Sequence, residues 1–244
     1  IMLKKLQEKG FEVGIITGSD MNYIQQQCSN LFDLSLADTS KIHFLPCNGT
    51  KYYYNDEQKY SNNMKSYMGS ASWNKLLCFL ISKQNDIANR NSMHMPLSGH
   101  FFDYRGSTLN WCPIGRNATL EDRKVWEFMD KNNFIRNPLL KEIREYVEHN
   151  INFVGDTDDS NMLLTIKLGG DTSFDIFPKG WDKTYVLDQT DLFSDYEEIH
   201  FIGDRCKPNG NDYEIFIHPK TIGKETSSTE ETIQILNKIL GLNV

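Results

Sequence analysis

Ile199-His200-Phe201-Ile202-Gly203-Asp204 is a short apolar run that stops at a glycine and a carboxylate. An apolar run of this length bounded by turn residues reads as a buried strand. A strand that ends in Asp places the carboxylate at the C-terminal edge of a parallel sheet, where α/β proteins bind ligands. Near the other end of the chain, Val13-Gly14-Ile15-Ile16 followed by Thr17-Gly18-Ser19-Asp20 has the same form. Asp20 can cap a helix that carries Ile24, Cys28 and Leu31 on one face. A strand at His43-Phe44-Leu45 follows, and then Lys51 to Tyr54 with an Asn55-Asp56 turn, which reads as a hairpin. The final segment has a capping box at Ser228-Thr229-Glu230-Glu231. It opens a helix bearing Ile233, Leu236 and Leu240 that stops near Gly241. Helices alternating with strands predict a parallel α/β sheet built from both ends of the chain.

Between these ends the pattern changes. Trp73, Leu76, Leu77, Leu80 and Ile81 form a helical stripe. Strand-like runs His100 to Arg105 and Thr108 to Ile114 are parted by Gly106-Ser107, and helices are expected near Leu120 to Lys131 and Pro138 to His149. Two more strand-like runs, Met162 to Leu168 and Thr172 to Phe177, flank Gly169-Gly170. The acidic run from Gly155 to Ser160 reads as an exposed loop. Paired strands with helices set apart from them predict an α+β module. The expected layout is a discontinuous α/β core, residues 1–65 and 178–244, with an α+β cap at 66–177 inserted in it.

The bulk properties narrow the function. Of 244 residues, 39% are hydrophobic and 24% charged, as in an ordinary globular protein, and the net charge is −7. That charge opposes non-specific binding to nucleic acid or anionic membrane, so neither is an expected partner. Five cysteines, an odd number with no C-x-x-C spacing, predict neither a disulfide framework nor a metal cluster and fit a reducing, cytoplasmic compartment. The apolar stretch Leu76 to Ile81 is too short to span a bilayer. At the start, Met2, Leu3 and Leu6 before Gly10 read as the tail of an amphipathic helix, so the sequence is expected to open inside an element.

Four groups can carry chemistry. Asp204 and Asp212, in a glycine-bearing loop after a strand, can position Mg²⁺, a hard ion that takes oxygen ligands; an acidic turn is the plainer reading. The hydroxyls and amides of Thr17-Gly18-Ser19-Asp20 can hold a phosphoryl oxygen, or Asp20 is an ordinary N-cap. Lys183 in Gly180-Trp181-Asp182-Lys183 can neutralise a transferring phosphoryl group, or is one surface lysine among many. Arg105, Arg116 and Arg123 offer planar forks that suit phosphate, or make surface ion pairs.

Taken together, three stretches resemble the eukaryotic phosphomannomutase family of the haloacid dehalogenase-like superfamily. Phe102-Asp103-Tyr104-Arg105 through Leu109-Asn110-Trp111-Cys112-Pro113-Ile114-Gly115-Arg116 is similar to its cap signature. Ser173-Phe174-Asp175-Ile176-Phe177-Pro178-Lys179-Gly180-Trp181-Asp182-Lys183 is similar to its second cap strand and hinge, and Gly203-Asp204 through Phe216 to its metal motif. The resemblance implies a haloacid dehalogenase-like Rossmannoid core with an inserted cap. It also implies interconversion of mannose 6-phosphate and mannose 1-phosphate through a phospho-aspartate and a hexose 1,6-bisphosphate, in GDP-mannose biosynthesis.

The resemblance further implies residue roles. Asp204 would bind Mg²⁺, with Asp212 supporting it. Lys183 would contact the transferring phosphate, and Thr17 or Ser19 would fill the hydroxyl role; the family usually has glycine at Thr17. Arg105, Arg116, Arg123, Ser173 and Asp175 would bind the sugar phosphate. Phe216, His218 and Thr221 would correspond to a second cation site, although His218 stands where the family has aspartate and imidazole is a poor ligand for a hard cation. A homodimer through the cap is implied, by way of the helix beginning near Ser70. The family's D-x-D-G-T loop, which supplies nucleophile and general acid/base, does not occur in the sequence; it is expected about one strand and part of a helix before Ile1. The rivals are a sugar-phosphate phosphatase of the same superfamily and a non-catalytic phosphosugar-binding protein.

Overall fold

A computed structural model describes residues 2–32, 38–89, 95–151, 163–208 and 210–242. The acidic run at 155–160 lies outside them. The chain forms two compact units, Ile1–Asn62 with Gly180–Val244, and Asn63–Lys179.

The first unit opens with α1 (Met2–Glu8), closed by Gly10 at φ 84°. β1 (Val13–Ile16) pairs in parallel with β2 (Ile42–Leu45), aligning Val13 with Ile42 and Ile16 with Leu45. Between them Asp20 accepts a hydrogen bond from the Tyr23 amide and caps α2 (Met21–Gln27). α2 is shorter than the Ile24–Cys28–Leu31 spacing suggested. It ends at Gln27, and Ser29–Phe32 continues as a 3₁₀ turn, so Leu31 packs near Ile24 from a separate turn. β3 (Lys51–Tyr54) and β4 (Glu57–Ser61) form the expected hairpin on the edge of β2. Asn55 and Asp56, at φ 54° and 58°, take the left-handed turn that a two-residue hairpin demands.

The second unit holds α3 (Met64–Met68), α4 (Ser70–Ala88), β5 (Phe102–Tyr104), β6 (Leu109–Trp111), α5 (Leu120–Asn133), α6 (Arg136–Asn150), β7 (Leu164–Gly169) and β8 (Ser173–Pro178). Its strands form an antiparallel sheet in the order β5-β6-β8-β7. Strand alternation gives that sheet two unlike faces. On one, Trp111 and Phe174 stack 5.1 Å apart beside Ile166 and Ile176, all buried, and Trp111 Nε1 donates to Gln84 of α4 at 2.8 Å. That face is therefore the helix-covered one. Trp73, Leu76 and Leu80 on α4 and Leu139, Ile143 and Val147 on α6 are buried, whereas Ile81, on the stripe read from the sequence, is 54% exposed. α5 starts with a complete capping box between Thr119 and Asp122.

The chain then returns to the first unit with α7 (Tyr185–Asp188), β9 (His200–Gly203), α8 (Tyr213–Phe216), β10 (Ile222–Glu225) and α9 (Thr229–Ile239). β9 pairs in parallel with β10, a strand that sequence reading did not find because Gly223 and Lys224 break its apolar pattern. Ser228 caps α9 by accepting from the Glu231 amide. The Glu231 carboxylate takes the Ser227 amide and hydroxyl instead of reaching back to the cap residue. All five cysteines are free.

Candidate functional site

In the first unit the candidate residues gather at the ends of β1 and β9. Thr17 Oγ1 accepts from the Ser19 amide at 3.2 Å and closes a tight turn. That turn is tied to the next one: Asn48 N donates to Thr17 O at 2.7 Å, and Cys47 N to Ser19 O at 2.8 Å. Cys47, Asn48 and Gly49 are all left-handed, at φ 53°, 60° and 79°. Residues other than glycine adopt that region at a cost, and such strain persists where surrounding contacts hold it, often at functional sites. Here those contacts are the hydrogen bonds that shape the Thr17–Ser19 turn.

At the end of β9, Lys183 and Asp212 form a buried ion pair, 7% and 2% exposed. One Asp212 oxygen takes the Lys183 ammonium. The other accepts from the amides of Asp204 and Arg205 at 3.2 and 3.1 Å. Burial alone would raise the Asp212 pKa, but the Lys183 charge and hydrogen bond and the two amides outweigh it and hold the carboxyl below its usual range. Gly203 is required beside it, because a Cβ there would lie 2.7 Å from Asp212 Oδ2 and 2.8 Å from the Phe201 ring. Asp212 thus fixes the Lys183 ammonium and shapes the loop that presents Asp204.

The divalent cation implied by the resemblance fits this arrangement through Asp204. Its exposed carboxylate, at the strand end, has no hydrogen-bond or ion-pair partner among the described residues. Mg²⁺ commonly uses one or two carboxylates and keeps several waters, so one protein carboxylate suffices. Asp212, with both oxygens engaged, supports from behind.

The second cation set does not fit. His218 Nε2 meets Asp188 Oδ1 at 3.0 Å and its Nδ1 accepts from the Lys220 amide at 3.2 Å. The Thr221 hydroxyl is held between the carbonyls of Ile215 and His218 at 2.6 and 3.0 Å. The Phe216 carbonyl is pressed against Gly223, where a Cβ would lie 2.2 Å away. The Lys220 ammonium already sits on the Leu187 carbonyl. Among the described residues no three His, Cys, Asp or Glu side chains form a metal-holding group.

In the second unit the open face of the sheet carries a polar row. Strand register aligns Asp103, Asn110, Asp175 and Lys167 across β5, β6, β8 and β7. Asn110, 3% exposed, is the hub. Its amide nitrogen donates to Ser173 Oγ at 3.0 Å and Asp175 Oδ1 at 2.7 Å, and its oxygen accepts from Arg116 Nη1 at 3.1 Å. Asp103 Oδ2 accepts from Arg105 Nε at 3.0 Å and pairs with Arg116 Nε at 3.5 Å. Four of the five residues assigned to sugar phosphate, Arg105, Arg116, Ser173 and Asp175, therefore join one network.

Arg123 is placed differently. Its three guanidinium nitrogens donate to Ala118 O, Thr172 Oγ1 and Arg116 O, at 3.2, 3.3 and 2.9 Å. It braces the turn that carries Arg116. Sequence reading missed Asp103 and Asn110 as site residues. The available signal was their position: each lies on the polar side of a strand whose neighbours, Phe102 and Trp111, are aromatic.

These two arrangements, a carboxylate and a buried lysine at parallel strand ends and a polar row on an antiparallel sheet, mark a phosphoryl-handling protein of haloacid dehalogenase-like fold. Solved structures share that fold: SMU.1108c from Streptococcus mutans, at 14% identity and TM-score 0.56, covers 98% of this chain and 90% of its own. A trehalose-6-phosphate phosphatase related protein, at 13% identity and TM-score 0.51, covers 98% and 86%.

Within that class the chain belongs to the eukaryotic phosphomannomutase family, whose model matches residues 1–242. Curated proteins named phosphomannomutase agree. That of Schizosaccharomyces pombe is 32% identical over 99% of this chain and 87% of its own length, and that of Saccharomyces cerevisiae 32% over 98% and 85%. The Arabidopsis thaliana protein is 33% identical over 91% and 80%.

Proposed function

We propose that this chain interconverts mannose 6-phosphate and mannose 1-phosphate; its curated relatives carry the name phosphomannomutase. The observation that best supports the reading is the Asp103–Asn110–Asp175 row with Arg105 and Arg116. A mutase has to hold a phosphate that is not reacting, and also the sugar hydroxyls, because its bisphosphate intermediate is used from either end. Arginine forks answer the first need, and Asn110, Ser173 and Asp175 the second. A phosphatase needs only the strand-end set.

In this reading Lys183 neutralises the transferring phosphoryl group, and Asp212 keeps its ammonium in place. Thr17, Ser19 and the amides of their turn hold phosphoryl oxygens. Asp204 holds Mg²⁺, which when bound spreads the phosphoryl charge. The residues at 63–179 act as cap and the remainder as core. The phospho-aspartate belongs to a D-x-D-G-T loop that residues 1–244 do not contain. A cytoplasmic homodimer with a place in GDP-mannose biosynthesis is part of the same proposal. No helix among the described residues is long and apolar enough to cross a membrane.

The test is ³¹P NMR of mannose 1-phosphate incubated with the full-length protein, MgCl₂ and a trace of hexose 1,6-bisphosphate. Mannose 6-phosphate is the expected product, and Asp204→Asn should abolish its formation. Inorganic phosphate as the main product would replace the mutase reading with the phosphatase one. Binding without turnover would leave a phosphosugar-binding protein.

A further inference from the structure

Two segments of the first unit, residues 183–188 and 212–221, are fastened to each other at both ends. At one end stands the buried Lys183–Asp212 ion pair. At the other, His218 and Lys220 reach α7. His218 Nδ1 accepts from the Lys220 amide at 3.2 Å, so the ring proton is on Nε2, which donates to Asp188 Oδ1 at 3.0 Å. The Lys220 ammonium sits on the Leu187 carbonyl, which no amide of the following loop reaches. That carbonyl belongs to the last turn of α7, where a helix leaves carbonyls without intrahelical donors and a cation is a favoured partner.

Both helices in these segments need such ties. α7 and α8 have four residues each, and helices that short do not hold themselves together in water. α7 starts two residues after Lys183, and α8 starts one residue after Asp212. A shift of either helix therefore moves one partner of the ion pair. The loop after α8 is closed from within, by the Thr221 hydroxyl against the carbonyls of Ile215 and His218. The charge that joins this loop to α7 is carried by the chain itself, on Lys220.

We infer that His218 and Lys220 form a built-in cationic strap, in which the Lys220 ammonium does for α7 and the 216–221 loop what a bound metal ion would do, so that this chain keeps Lys183 and Asp212 in register without a second cation. The misfit of Phe216, His218 and Thr221 as a cation set then has a cause. An ammonium is a compact point charge with three donors, able to hold a carbonyl oxygen as a hard cation does. Imidazole is a poor ligand for a hard cation, and His218 instead ties Asp188 by a hydrogen bond. A free ion would have to displace a tethered ammonium, whose effective concentration at the Leu187 carbonyl is high. His218 and Lys220 are thus positioning residues for Lys183. The inference rests on contacts within the first unit and not on the mutase reading.

Amide hydrogen exchange tests it without reference to activity, in full-length protein carrying Asp204→Asn to remove the strand-end carboxylate. Peptides covering residues 185–190 and 216–222 should exchange at the same rate in choline chloride, KCl and MgCl₂ at equal ionic strength. Lys220→Met should speed that exchange about tenfold in all three salts, as expected from the loss of one charged hydrogen bond, and Lys220→Arg should restore it. His218→Asp combined with Lys220→Ala replaces the tethered charge by an open carboxylate. That variant should exchange about tenfold faster in choline chloride and recover saturably in KCl or MgCl₂. β7 and β8 should keep their protection throughout, which reports an intact second unit. Saturable slowing of the protein with His218 and Lys220 in place, by KCl or MgCl₂, would show a bound cation at work and overturn the proposal. Exchange of Lys220→Met at the unsubstituted rate would overturn it as well. So would failure of the double variant to recover in either salt, which would leave a contact of structural value only.

Discussion

Asp212 has two oxygens and three donors, and this allocation governs the behaviour of the strand-end set. Asp212→Asn would leave the Lys183 ammonium buried without a counter-charge, at a cost of about 3–5 kcal/mol. The pair also predicts the acid limb of stability. A carboxyl whose folded pKa lies below its ordinary 3.8 contributes stability that is fully present above that value and is lost as pH falls through the lower folded one. Circular dichroism of acid-titrated protein should show a shallower fall below about pH 4 for Asp212→Asn than for the parent. Nearby, burial first, and then the charge of Asp212, pushes the Cys206 thiol up to about 11. Cys206 should therefore resist a disulfide reagent at pH 8 in folded protein, while exposed Cys78 reacts at once; mass spectrometry of the labelled peptides reads the difference.

At the scale of elements, the cap sheet divides its labour by strand alternation. Odd and even neighbours on β6 do opposite things: Trp111 enters the core under α4, while Asn110 organises the polar face. The two arginines near the end of β6 separate in the same way. Arg116 keeps its side chain 40% exposed. Arg123 is spent on two carbonyls and a hydroxyl. Arg116→Ala should raise the KM for mannose 1-phosphate ten- to hundredfold, from loss of a charged hydrogen bond worth about 1.5–3 kcal/mol, and leave hydrolysis of a small aryl phosphate nearly intact. Arg123→Ala should lower the melting temperature as well as raise KM, because the turn beneath Arg116 loses its brace. Equal melting temperatures for the two variants would contradict this division.

For the molecule as a whole, the exposed apolar side chains bear on assembly. On α5, Leu120, Val125 and Phe128 are 78%, 48% and 70% exposed, whereas α4, expected to carry the dimer contact, shows Ile81 at 54%. If the second unit mediates a homodimer, α5 is the better-supplied surface. Phe128→Glu should convert a dimer to a monomer by light scattering with mutase turnover per chain unchanged in order of magnitude. A dimeric mass for that variant would move the contact elsewhere.

Much of this was legible in the order of residues, because local rules act over short spans. The strand ends at Thr17 and Asp204, the Asn55-Asp56 turn, the Thr119 cap and the glycine-bounded cap strands each depend on a few neighbours and a fixed period. What the tertiary structure decided depends on residues far apart in the chain. Asn110 becomes a hub only when β6 lies beside β8, 65 residues away at Asp175. Asp212 has both oxygens engaged only because Lys183 reaches it across 29 residues and the Asp204 and Arg205 amides meet its other side. Arg123 had the right chemistry for an anion, but folding supplied it with partners first, as it did His218. Periodicity specifies which side of an element faces inward; it does not say which polar group there has already been satisfied, since that is settled by which elements meet.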